Sequence, residues 1–86
     1  MDDQYKALAK KALDILEIEY NDDAQLDELV TLLEKAFPFV GSSTEIELNK
    51  IVNNIAEKLK NKEDIEEIKS LLEALEDNYL FSKYWD

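Results

Sequence analysis

The chain has no cysteine, no histidine and no arginine, and it holds a single glycine, Gly41, and a single proline, Pro38. Each absence closes a route. Without cysteine there is no disulfide staple and no thiolate metal site, which fits a reducing compartment. Without histidine the commonest general base and the commonest zinc ligand are gone. Without arginine there is no bidentate fork for phosphate or carboxylate. Apolar runs extend for only a few residues, so no segment is expected to span a bilayer. Met1-Asp2-Asp3 is acidic where a secretory leader would be basic. Together these features predict a soluble, cytoplasmic protein.

Acid is what the chain has in excess. Twenty-one Asp and Glu face ten lysines, for a net charge of −11 over 86 residues. Such a surface repels nucleic acid and anionic membranes and speeds encounter with basic partners. Apolar residues still make up 45% of the chain, too large a share for a disordered segment. The length predicts one domain, residues 1–86, that buries roughly 60% of its unfolded surface. One modest core fits in such a domain, and an internal pocket of enzyme size does not.

Four segments carry helical period, and none alternates with period two. The first, about residues 3–19, places Tyr5, Leu8, Ala9, Ala12, Leu13, Leu16 and Tyr20 on one face. Asn21-Asp22-Asp23 interrupts it, and Asp22 with Gln25 has the spacing of a capping box for the second helix. That helix, about residues 23–36, is expected to bury Leu26, Leu29, Val30, Leu33 and Phe37 and to stop at Phe37, where Pro38 disfavours helical geometry. The connector from Phe37 to Gly41 is apolar enough to be expected to plug one end of the fold. Ser42, Ser43 and Thr44 are candidate caps for the third helix, about residues 45–60. Its core face is Leu48, Ile51, Val52, Ile55, Ala56 and Leu59, with Ile46 on the far side. Asn61 is the expected terminator and a candidate cap for the fourth helix, about residues 63–79, which presents Ile65, Ile68, Leu71, Leu72, Leu75 and Tyr79. The six-residue step from Leu59 to Ile65 breaks the stripe, so two helices are expected rather than one. The pattern predicts an all-α, antiparallel four-helix bundle with an aromatic C-terminal segment, residues 80–86.

The charge is unevenly spread. Residues 1–20 carry −2, 21–41 carry −4, 42–61 are neutral and 62–86 carry −5. Carboxylates in a first helical turn complement the helix dipole, which accounts for Asp22, Asp23, Glu63 and Asp64. It does not account for the recurrence of Glu63, Glu66, Glu67, Glu73 and Asp77 at spacings that form a stripe along the fourth helix. Metal chemistry is not expected there. An EF-hand needs glycine at its sixth loop position, and a buried carboxylate di-metal site draws on histidine. No nucleophile motif, phosphate loop or nucleotide fingerprint appears, and no cofactor is expected. The C-terminal octet from Tyr79 to Asp86 holds four of the eight aromatics, and its five large apolar side chains cannot all face one core. Rings in such a segment either close the end of the bundle or serve as binding anchors.

The run Ala12-Leu13-Asp14-Ile15-Leu16-Glu17-Ile18-Glu19-Tyr20-Asn21-Asp22, followed by a leucine-rich helix to Ala36, resembles the small bacteriocin immunity proteins of the enterocin A type. The likeness covers about a third of the chain, and beyond Phe37 it rests on helix count and the aromatic ending. Members of that family are commonly basic and somewhat longer, whereas this chain is acidic and short. The resemblance implies four antiparallel helices and a C-terminal segment, Tyr79 to Trp85, that carries specificity.

The sequence thus predicts a small acidic, non-enzymatic protein-binding module of inhibitor or immunity type that occludes a partner with a basic surface. The expected contact residues are Glu63, Glu66, Glu67, Glu73, Asp77, Phe81, Tyr84 and Trp85. A phage-type nucleic-acid mimic that blocks a basic groove and a self-associating structural or regulatory bundle are the alternatives.

Overall fold

The computed structural model describes the backbone of residues 2–36 and 43–85 and the side chains of residues 3–36 and 46–80. Four helices are formed: α1 (Asp2–Ile15), α2 (Leu26–Glu34), α3 (Ser43–Lys60) and α4 (Ile65–Trp85). The fold is all-α, each helix packing on its neighbour in sequence and α1 on α4, as in an antiparallel bundle. The expected apolar plug from Phe37 to Gly41 lies outside the described residues, as do Ser42 and the side chains of Ser43 and Thr44.

The core follows the helical stripes. Leu13, Leu29, Leu33, Ile55, Leu59, Ile68, Leu72 and Leu75 are fully buried, and no polar or charged residue is buried among the described residues. A Leu or Ile taken out of water contributes about 1.5–3 kcal/mol, so these eight together contribute on the order of 12–24 kcal/mol. Ala9 and Ala12 are completely buried at the middle of α1, where small side chains let the other helices approach closely. Ile46 is exposed on the far side of α3.

α3 begins at Ser43 rather than about residue 45, so Ser43 and Thr44 lie within the helix, and three other ends differ more from the sequence expectation. The first helix ends at Ile15 rather than near Glu19, because the chain turns into the left-handed region at Glu17 (φ 60°). The Glu17 N–H donates to the Asp14 carbonyl and the Ile18 N–H to the Leu13 carbonyl, at 3.1 and 2.9 Å. That is a Schellman turn. A continued helix would point Ile18 at water, whereas the turn brings it against the core.

The second helix begins at Leu26 rather than Asp23. Asn21 Oδ1 accepts from the Asp23 N–H at 2.9 Å and the Asn21 carbonyl accepts from Ala24 N–H, so these residues form an Asx turn. Gln25 is the N-cap and makes no side-chain capping bond, so the expected Asp22–Gln25 capping box is absent. The connector of residues 16–25 folds back along α1. Lys10 Nζ donates to the Asp22 carbonyl at 3.1 Å, and Gln25, Leu26 and Asp27 lie beside Lys6.

The third difference is at α4. It starts at Ile65, capped by Asp64 rather than Asn61, and continues through Trp85. The stretch read as a separate tail is therefore helical backbone. The α3–α4 hairpin turns through Lys62 (φ 52°) in a second Schellman arrangement: Lys62 N–H to the Leu59 carbonyl and Glu63 N–H to the Lys58 carbonyl.

α1 and α4 begin at the same end. Tyr5 of α1 donates its hydroxyl to the carbonyls of Lys62 and Glu63, at 3.0 and 2.9 Å. Farther along, Ile15 meets Tyr79, whose hydroxyl donates to Glu17 Oε2 at 3.2 Å. The 14 residues of α1 span about 21 Å and the 21 of α4 about 31 Å. The last turns of α4 therefore run past the end of α1.

Candidate functional site

α4 is built as an independent, well-capped helix. Asp64 Oδ1 accepts from the Glu66 N–H at 3.0 Å, and the Asp64 carbonyl accepts from Ile68 N–H. Glu66 and Glu67 in the first turn favour the positive end of the helix dipole. Burial of Ile68, Leu72 and Leu75 then fixes which face points outward.

That outward face separates the five expected acidic residues into two groups. Glu63 and Glu67 are drawn to one cation: Lys58 Nζ lies 3.5 Å from Glu63 Oε1 and 3.1 Å from Glu67 Oε2. The Glu67 hydrogen bond, more than any other influence, raises the Lys58 pKa above that of a free lysine, against a smaller opposing cost of desolvation. Glu66 is exposed and stands 3.8 Å from Lys69. Glu73 and Asp77 are exposed and pair with no cation among the described residues. Phe81, Tyr84 and Trp85 lie on the helical backbone of α4, and their side chains are outside the described residues.

The open group has neighbours that the sequence stripe did not include. Glu76 is exposed and lines a shallow depression with Ile15, Tyr79 and Leu80. Leu80 is 44% exposed, one of two large hydrophobic side chains so open among the described residues, and bears out the expectation that part of the C-terminal apolar set faces solvent. Glu17 adds a further carboxylate through its bond from Tyr79. Helix period predicts that Glu76 and Leu80 share one side of α4. Their meeting with Ile15 depends on the direction of α1 relative to α4, which no local pattern encodes.

Lysine is sparse in the sequence that reaches this end: residues 70–82 contain three acids and no lysine, and Lys83 follows with its side chain outside the described residues. At the opposite end, Lys58, Lys60, Lys62 and Lys6 gather around the α3–α4 turn and the start of α2. Lys60 Nζ lies 2.8 Å from Glu34 Oε1, and that hydrogen bond is the main reason its pKa is raised.

No family model, curated protein or solved structure matches the chain. The arrangement must be read from its own chemistry. Among the described residues, no cluster of three or more carboxylates could hold a metal ion, and no helix is long and apolar enough to cross a membrane. The acids stand on exposed helix faces, where a carboxylate can attract a cation but has no enclosed site in which to move a proton.

Proposed function

We propose that this protein is a non-enzymatic binding module of inhibitor or immunity type, which occludes a partner protein bearing a basic surface. The observation that carries the reading is the open acidic group on α4. Glu73, Glu76 and Asp77 are exposed without a cation among the described residues, beside an exposed leucine. A charge left uncompensated on a rigid helix face steers oppositely charged partners and rejects like-charged ones. Glu66 extends the row, while Glu63 and Glu67 are partly spent on Lys58. Phe81, Tyr84 and Trp85, on the same helix, would anchor the complex through aromatic area. The four-helix architecture agrees with the resemblance to enterocin A-type immunity proteins.

A second reading, a nucleic-acid mimic, draws on the spacing of the row. Glu66, Glu73 and Asp77 rise along α4 by about 10 Å and then 6 Å, a ladder of anions on a straight support. Affinity capture from a lysate at low and moderate salt, followed by binding measurements with the captured partner, tests both. A Glu73→Gln/Asp77→Asn variant should lose about tenfold in affinity, and removal of residues 81–86 should lose more. Unchanged affinity in both variants would overturn the occlusion reading. Duplex DNA that competes for the partner, with little effect from removing residues 81–86, would select the mimic.

A further inference from the structure

The depression between α1 and α4 has the composition of a seat for a particular kind of segment. Its floor is apolar: Ile15 from the last turn of α1, with Tyr79 and Leu80 from α4. Its margin is acidic on α4, through Glu76 within it and Glu73 and Asp77 one turn or less away. Glu17, tethered by Tyr79, places a carboxylate on the α1 side. An apolar floor of this kind left in water favours a partner that buries it, and the charge at its margin selects which partner.

A second copy of this chain is a poor occupant, because two molecules of net charge −11 would bring acidic margins together. An anionic membrane or nucleic acid is repelled for the same reason. A helix with leucine-like residues on one face and lysine or arginine along its flanks satisfies both halves of the seat at once. We infer that the Ile15–Tyr79–Leu80 seam, with Glu73, Glu76 and Asp77 on its margin, receives a basic amphipathic helix of the partner protein. The inference rests on the occlusion reading and deepens it by naming the seat and the form of the partner segment.

The test titrates the full-length, isotope-labelled protein with a 20-residue Leu/Lys amphipathic helix and follows its amide resonances. A scrambled peptide of identical composition and an oligolysine of equal charge serve as controls. Shifts should centre on Ile15, Glu76, Tyr79 and Leu80, and binding should be at least about fivefold weaker for either control peptide. Leu80→Ser, which leaves charge unchanged at an exposed site, should weaken binding about fivefold to tenfold. Glu73→Gln/Glu76→Gln/Asp77→Asn should weaken it about tenfold, and Asp22→Asn/Asp23→Asn/Asp27→Asn, with the same charge removed elsewhere, by no more than about twofold.

Equal losses in the two triple variants, indifference to Leu80→Ser, or shifts centred on another face would overturn the inference. So would binding of the oligolysine as tight as that of the amphipathic helix. Those outcomes leave the occlusion reading to its own test with the captured partner. There, a partner sensitive to Glu73 and Asp77 but insensitive to Leu80→Ser would separate the two.

Discussion

At the end of α1 and at the end of α3 the chain builds the same turn from different chemistry. Both turns place a non-glycine residue in the left-handed region, Glu17 and Lys62. Both close with an N–H three residues past the helix reaching back five residues, Ile18 to Leu13 and Glu63 to Lys58. A Schellman turn brings that outer residue against the residue it reaches. In the first turn both residues are hydrophobic: Leu13 belongs to the core and Ile18 packs against that core. In the second the contact is an ion pair, Glu63 with Lys58 at 3.5 Å, reinforced by Glu67 at 3.1 Å. Each turn also has a tyrosine hydroxyl from another helix, Tyr79 at Glu17 and Tyr5 at Lys62 and Glu63. Left-handed geometry here is held by hydrogen bonds and by the contact across the turn, not by glycine. The chemistry of that contact decides what each end can do. The ion pair draws the acids of the second turn onto a lysine, whereas the contact across the first turn involves no charge.

The strongest challenge to this comparison is truncation at the equivalent inner position of each turn. Leu13 is fully buried, so Leu13→Ala should cost about 3 kcal/mol in urea unfolding through the cavity it leaves. Lys58→Ala removes only a partly screened surface pair and should cost far less. Similar losses at the two positions would show that the ion pair is structural in the way the apolar pair is.

The tyrosine latches come next. Tyr5→Phe deletes a hydroxyl shared by two carbonyls in a partly buried site and should destabilise by about 1 kcal/mol. Tyr79→Phe loses one exposed 3.2 Å bond and should cost less. If the order were reversed, the first turn would depend on Tyr79 more than its apolar contact allows.

Glycine substitution gives a smaller effect of opposite sign. Lys62→Gly relieves the left-handed Cβ penalty and should stabilise by about 0.5 kcal/mol, after the entropy glycine adds to the unfolded chain. Glu17→Gly should gain less, since it also removes the acceptor of the Tyr79 bond. A loss at Lys62 would mean that its side chain contributes more to the turn than its backbone strain removes.

Four helices and their buried faces were legible in the sequence because periodicity records burial directly. Leu48, Val52, Ile55, Ala56 and Leu59 are buried as the stripe of the third helix required. The ends were less legible. Ile18 lay off its stripe, and that misplacement was the one local sign of a turn at Glu17. Asp64 was assigned to first-turn electrostatics when its side chain is the cap. The acidic stripe on α4 was visible as spacing, but its division between compensated and open acids was not. That division depends on Lys58 and on where α1 ends, which are matters of tertiary placement. The depression at Ile15 was invisible for the same reason, since Ile15 and Leu80 lie far apart in the chain.

The smallest effect separates the two ends by pH. Lys58 near the second turn and Lys60 beside it have pKa values raised above 10.5, chiefly through hydrogen bonds to Glu67 and Glu34. Tyr20, beyond the first turn, is raised above 10.0, first by partial burial and then by the Asp14 carboxylate. In all three the folded state holds its proton more tightly than the unfolded state. The stabilisation is therefore complete below the unfolded pKa and is lost as pH rises through the folded value. Thermal unfolding at fixed ionic strength should be level through neutral pH and fall above about pH 10, with Tyr20 contributing first and the lysines following. Tyr20→Phe should delay the onset, whereas Lys58→Met should leave the onset in place and shallow the later fall. A melting temperature that stayed constant to pH 11 would show that the ion-paired turn gains nothing from its lysines.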